Sequence, residues 1–189
     1  MNAPKVTVSG SFRKAMSDIQ RAVAELTDLG GRVLSPSDPR VVDSFGDFLF
    51  VASDRLRTIR TVQSRHLAAI EASDLVWLVA PDGYVGTSAA MEIGFAMAVG
   101  TPVFTDSTPS DLTLRQYVTT VSSISDALSH TNDEPGGGVI DLLLDPSSAV
   151  ESAHAHFDLI ESQLLRPSDR SDLPVSASAS AVKRILRRV

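Results

Sequence analysis

The sequence predicts an α/β protein built on an open, doubly wound parallel sheet. Three observations lead there. Short runs rich in β-branched and apolar residues alternate with segments whose apolar residues recur at helical spacing. Glycine or proline marks most of the changeovers. The chain has 189 residues, 43% hydrophobic and 21% charged, which suits one main globular domain able to bury a sizeable core.

The elements follow in order. Lys5 to Ser9 reads as a buried strand turned by Gly10. From Arg13 to Leu29, Ala15, Met16, Ile19, Ala22, Val23, Leu26 and Leu29 form a helical stripe that Gly30 and Gly31 stop. Arg32 to Ser35 is a second strand, broken by Pro36 and Pro39. Residues 36–51 read as a long connection carrying Phe45, Phe48 and Phe50, and a second helix is expected from Ser53 or Asp54 to about Ala72. Asp74 to Ala80 (DLVWLVA) is the clearest buried strand, turned by Pro81-Asp82-Gly83. Ser88 to Val99 is a helix closed by Gly100, Pro102 to Thr105 a fourth strand, and Tyr117 to Ser122 a fifth. Alternation of this kind with right-handed crossovers gives a flavodoxin-like, five-stranded parallel sheet with helices on both faces.

Beyond His130 the pattern weakens. The expected organisation is a domain over 1–130, a linker and helical extension over 131–165, and a flexible basic tail over 166–189. That tail carries a net charge of +4, which leaves −10 on the first 165 residues and −6 overall. An acidic body is a poor binder of nucleic acid. No apolar run approaches a membrane span, and the N-terminus MNAPKVTVSG lacks the apolar stretch of a secretory signal. A cytoplasmic protein is therefore expected. The absence of cysteine removes disulfide frameworks, zinc–thiolate sites and cysteine nucleophiles together. His154 and His156, two apart, do not share a helix face, so no metal site is expected.

In an open parallel sheet, ligands sit beyond the carboxyl ends of the strands. Three segments meet there: Ser9, Gly10, Ser11, Phe12 and Arg13; Pro81 to Ser88; and the Phe-bearing connection after the second strand. Small residues after a strand admit an anion to backbone N–H groups, with the Ser11 hydroxyl and the Arg13 fork beside them. Gly10 to Arg13 equally suit a plain β–α turn. Asp82, Gly83, Tyr84, Gly86 and Ser88 reach the same end of the sheet from the loop after DLVWLVA. Between Val85 and Ala98 only Thr87, Ser88 and Glu92 are neither small nor apolar. A carboxylate in so apolar a helix needs a partner or a task, or else it is a first-turn Glu favoured by the helix dipole. Phe45, Phe48 and Phe50 could stack on a ring or form a satellite core.

The runs SGSFR (Ser9 to Arg13), SDLVWLVAPDGYVG (Ser73 to Gly86) and MEIGFAMAVGTPVF (Met91 to Phe104) resemble the nucleoside 2-deoxyribosyltransferase-like superfamily. That group includes deoxynucleoside 5′-monophosphate N-glycosidases. The resemblance covers residues 5 to 128 and implies that Glu92 is a nucleophile toward the anomeric carbon. It implies that Gly10 to Arg13 hold the 5′ end of a nucleoside or nucleotide, with Ser88 near the sugar. It also implies a homodimer or larger assembly and no organic cofactor. The chemistry fits, because N-glycosidic cleavage passes through an oxocarbenium-like state that a carboxylate stabilises or captures. One position departs from the family: the Asp eight residues ahead of the strand-start Asp is replaced by His66, counted back from Asp74. Histidine can move a proton near neutral pH, so His66 is a catalytic candidate near the base. Two other readings stand beside this one, a non-catalytic nucleotide-sensing module and an NAD glycohydrolase-like activity.

Overall fold

A computed structural model of the chain describes residues 3–130; the expected extension and basic tail lie outside the described residues. The element order is β1 (Lys5–Gly10), α1 (Phe12–Asp28), β2 (Arg32–Ser35), β3 (Val41–Phe45), β4 (Phe48–Val51), α2 (Ile59–Glu71), β5 (Leu75–Val79), α3 (Thr87–Val99), β6 (Val103–Thr105), β7 (Thr119–Thr120) and α4 (Ile124–Ser129). Five strands form one parallel sheet in the order β2-β1-β5-β6-β7. This is the doubly wound, flavodoxin-like arrangement expected from the sequence. Among the described residues, no helix is long and apolar enough to cross a membrane.

The alternation of side chains along the central strands explains why both faces are covered. On β5, Leu75, Trp77 and Val79 join Val6 and Val8 of β1 under α1 and α4. Val76 and Leu78 face the other way, onto Ile70 of α2 and Ala89, Ile93 and Ala96 of α3. A strand buried on both faces reads as a continuous apolar run, which is what DLVWLVA is. On β1 the second face is polar: Thr7 pairs with the Ser73 hydroxyl at 2.8 Å, and Ser9 turns toward α3.

Three expectations are corrected. The connection after β2 contains an antiparallel hairpin, β3 with β4, in which Phe45 pairs with Phe48 across a two-residue turn, Gly46-Asp47. Gly46 takes φ 57° there, a conformation that glycine reaches without steric cost. The second helix starts at Ile59, capped by Thr58, whose hydroxyl accepts the Thr61 N–H at 3.2 Å. Asp54 is instead committed to the turn after β4, where its carboxylate accepts the Val51 N–H at 2.9 Å. A good capping residue had a nearer backbone donor to satisfy. The fifth strand is also shorter than expected, reduced to Thr119–Thr120 at the sheet edge.

Gly10 ends β1 where the chain turns into α1. Its φ is +154°, and a Cβ there would lie 2.7 Å from the Val79 carbonyl oxygen of the neighbouring strand. Gly10→Ala is therefore expected to destabilise the fold by about 2 kcal/mol or more, measured by urea unfolding; wild-type stability in that variant would refute the account of this turn.

Candidate active site

A cleft of about 350 Å³ opens at the carboxyl ends of β1 and β2. Its walls come from four places. The β1–α1 turn supplies Gly10, Ser11, Phe12 and Arg13, and the start of α3 supplies Gly86, Thr87, Ser88, Ala89 and Glu92. The inward face of α2 supplies Val62, Gln63 and His66, spaced as neighbours on one helix face. The β3–β4 hairpin supplies Asp47, Phe48, Leu49 and Val51, with Ser35, Pro36, Asp54 and Tyr84 completing the lining.

Glu92 lies in this lining and is only 6% exposed. Its helix offers it no polar partner, and each of its contacts arrives from another element. Ser9 of β1 donates its hydroxyl to Oε2 at 2.5 Å. Gln63 of α2 donates Nε2–H to Oε1 at 2.8 Å. His66 Nε2 stands 3.4 Å from Oε2, facing the carboxylate without a well-formed hydrogen bond. The other ring nitrogen is fixed, with Nδ1 2.8 Å from the Ser35 hydroxyl. The Phe12 ring stands edge-on to the imidazole, centroids 6.5 Å apart. When Ser35 donates to Nδ1, the neutral ring carries its proton on Nε2, the tautomer that a neighbouring carboxylate favours.

The charge of Glu92 follows from these contacts. Burial pushes its carboxyl upward, but the adjoining His66 imidazole, then Gln63 and Ser9, outweigh burial and hold it below the ordinary carboxylate value. The carboxylate is thus ionised at neutral pH inside a nearly dry wall.

Most sequence-derived candidates meet in this cleft: Glu92, His66, Gly10, Ser11, Phe12, Arg13, Tyr84, Gly86 and Ser88 all line it. Asp82 and Gly83 do not. They form the turn after β5, with Asp82 at φ 54°. The Gly83 N–H bonds to the Ala80 carbonyl at 2.9 Å, and its own carbonyl accepts from Ser110 N–H at 2.8 Å. Ser11 occupies the N-cap position of α1 without capping it through its side chain, which leaves its hydroxyl beside the cleft. Arg13 Nη1 pairs with Asp47 of the hairpin at 2.8 Å, and Lys14 Nζ lies 3.8 Å from the centre of the Tyr84 ring. Of the three phenylalanines in the connection, Phe48 lines the cleft and meets buried Phe50 at a 59° tilt with centroids 5.2 Å apart, while Phe45 is 72% exposed.

Sequence reasoning placed Ser9 at this end of the sheet without a role, and did not single out Ser35, Gln63 or Asp47. Polar residues alternating with valine in a buried strand, as in VTVS, signal a face that holds something polar. Gln63 lies three residues before His66 and shares its helix face. Among the described residues, no cluster of His, Cys, Asp or Glu could hold a metal ion.

No protein-family model matches this chain, and no curated protein matches it. Solved structures similar to it include the following two. A CMP N-glycosidase from Clostridium botulinum is 14% identical with a TM-score of 0.42, over 68% of this chain and 97% of that one. A 2-deoxyribosyltransferase from the psychrotolerant bacterium Bacillus psychrosaccharolyticus is 19% identical with a TM-score of 0.44, over 65% of this chain and 89% of that one.

Two tests address Glu92. A carboxyl held lower in the folded than in the unfolded chain stabilises the fold above its unfolded value, and that contribution disappears as pH falls through the folded value. The stability of wild type relative to Glu92→Gln, from urea unfolding, is expected to shrink as pH drops from neutrality through the acidic carboxylate range. A pH-independent difference would contradict the ionised assignment. Replacing Gln63 by Leu removes one donor, so the Glu92 titration, followed by carbon-13 NMR of its side chain, is expected to move upward; an unmoved midpoint would mean the 2.8 Å contact does not act on the charge.

Proposed function

We propose that this protein cleaves the N-glycosidic bond of a nucleoside or nucleoside 5′-monophosphate, with Glu92 as nucleophile. The observation that carries the reading is the carboxylate itself: ionised, desolvated, and held through both oxygens in the lining of a cleft of about 350 Å³. Volumes of this order suit small-molecule sites. The motif resemblance of Glu92 and of Gly10 to Arg13 supports the same reading.

The two oxygens are not equivalent. Oε2 accepts from Ser9 and faces His66, whereas Oε1 accepts from Gln63. Because Oε2 is engaged by Ser9 and flanked by His66, Oε1 is assigned as the attacking atom. Its bond to C1′ forms as the C1′–N bond breaks; the bonding pair leaves with the base, which takes up a proton from solvent water. The glycosyl ester on Glu92 is then released to water, giving hydrolysis, or to a second base, giving transfer. Ser11 and Arg13 bind the 5′ end of the sugar. Ser88 borders the ribose, and Tyr84 closes one side of the opening.

Glu92→Ala is expected to lower base release from a panel of nucleosides and their 5′-monophosphates by about a thousandfold or more, read by chromatography of the free base, while the circular dichroism spectrum is kept. Wild-type turnover in that variant would remove the mechanism. Binding of the panel by the wild-type protein with no base released would identify a nucleotide-sensing module instead.

A further inference from the structure

We propose that His66 reads the 2′-hydroxyl of the sugar, so that the substrates of this cleft are ribosides; the proposal rests on cleavage by Glu92. The starting observation is an unmet hydrogen-bonding demand. His66 is 7% exposed, and its Nε2 is the one buried side-chain nitrogen or oxygen found without a hydrogen-bond partner among the described residues. Such an atom costs stability unless something else satisfies it. The ring cannot turn away freely, because Nδ1 is tied to Ser35 at 2.8 Å and Phe12 abuts its side. The nearest acceptor to Nε2, Glu92 Oε2, stands at 3.4 Å without a well-formed bond, and the ring borders the cleft, where a ligand group can complete its hydrogen bonding.

Stereochemistry says which part of the ligand. A nucleophile displaces its leaving group in line, so Glu92 meets C1′ on the face opposite the base. In a β-nucleoside that is the α face, and the 2′-hydroxyl of ribose projects from the same face at the adjacent carbon. With Oε1 bonded to C1′, Oε2 lies along the C1′–C2′ edge. His66 Nε2 is 3.4 Å from Oε2 and therefore borders the 2′ position rather than the departing base across the ring. A 2′-hydroxyl there accepts the Nε2–H and donates its own proton to Oε2, satisfying all three groups. The bond that this hydroxyl donates to Oε2 strengthens as positive charge develops on the ring, and the Nε2–H contact holds the hydroxyl turned that way. A 2-deoxyribose leaves Nε2 as it is now, without a partner.

The 2′-hydroxyl withdraws electrons and slows spontaneous cleavage, so a site blind to it favours deoxyribosides. The informative quantity is the change in the riboside-to-deoxyriboside ratio of kcat/KM on substitution. The four common ribonucleosides and their 2′-deoxy counterparts, each with and without a 5′-phosphate, would be assayed with the full-length protein, His66→Phe and His66→Gln. The ratio is expected to fall about tenfold or more in His66→Phe and to recover in part in His66→Gln, which keeps an N–H donor. An unchanged ratio with base still released overturns the assignment of His66 and leaves cleavage by Glu92 standing. Calorimetric titration with D-ribose 5-phosphate and 2-deoxy-D-ribose 5-phosphate provides an arm independent of turnover. Tighter binding of the ribose compound that depends on His66, with no base released from any substrate, keeps His66 as the sugar reader and overturns cleavage. No discrimination in either arm overturns the proposal.

Discussion

A charged carboxylate inside an apolar layer is the constraint from which the rest of this structure follows. The α3 helix that carries Glu92 packs Ala89, Ile93 and Ala96 against the sheet and against Ile70, an environment that disfavours charge by several kcal/mol unless donors replace the lost water. The donors come from β1 and α2, and the imidazole beside them from α2 as well. Glu92 is therefore held by the way β1, α2 and α3 meet. Any change that shifts α2 relative to α3 alters the protonation and aim of the carboxylate before it alters the overall fold.

The scaffold divides accordingly into a fixed and an adjustable part. The fixed part is the parallel sheet with its two covered faces. There Gly10 lets β1 approach β5, and a parallel ladder from Val6 to Gly10 sets the height of Ser9. The hairpin is different. Its strand β3 is exposed along its whole length, and an exposed ion pair, Arg13 with Asp47, links its turn to the β1–α1 loop. Exposed pairs of this kind contribute at most about 1 kcal/mol. The carboxylate and its donors thus sit on rigid elements, while the opposite wall of the cleft, built from Asp47, Phe48 and Leu49, hangs on weaker contacts.

The parts of the fold legible in the sequence were those governed by local pattern. The run from Leu75 to Val79, the stripe from Ala15 to Leu26 and the glycine stop at Gly100 each declare their structure within a dozen residues. The anomaly of Glu92 was legible for the same reason, since one acid in an apolar helix violates the local rule. What stayed hidden depends on contacts across the chain. Ser9 and Glu92 are 83 positions apart, and nothing near Ser9 announces its acceptor. Asp54 looked like a helix cap because caps are local, but the nearer Val51 N–H took its carboxylate. Asp82 and Gly83 fall in the right loop, yet positive φ angles and the bonds to Ala80 and Ser110 employ them in holding that loop.

His66 shows how the two kinds of information combine. The sequence identifies it as a departure from an aspartate pattern; only the geometry shows where the substituted ring points. An aspartate at this place would put a second negative charge against Glu92, raising one of the two carboxyls and leaving the pair to share a proton. An imidazole removes that conflict and leaves one carboxylate ionised without competition. With Ser35 donating to Nδ1, it also places an N–H donor at the cleft where an aspartate would place an acceptor. On the proposed reading, a single substitution thereby changes both the charge state of Glu92 and the kind of sugar that the adjacent space can satisfy, and the two effects are separable because the first acts through Oε2 and the second through the ligand.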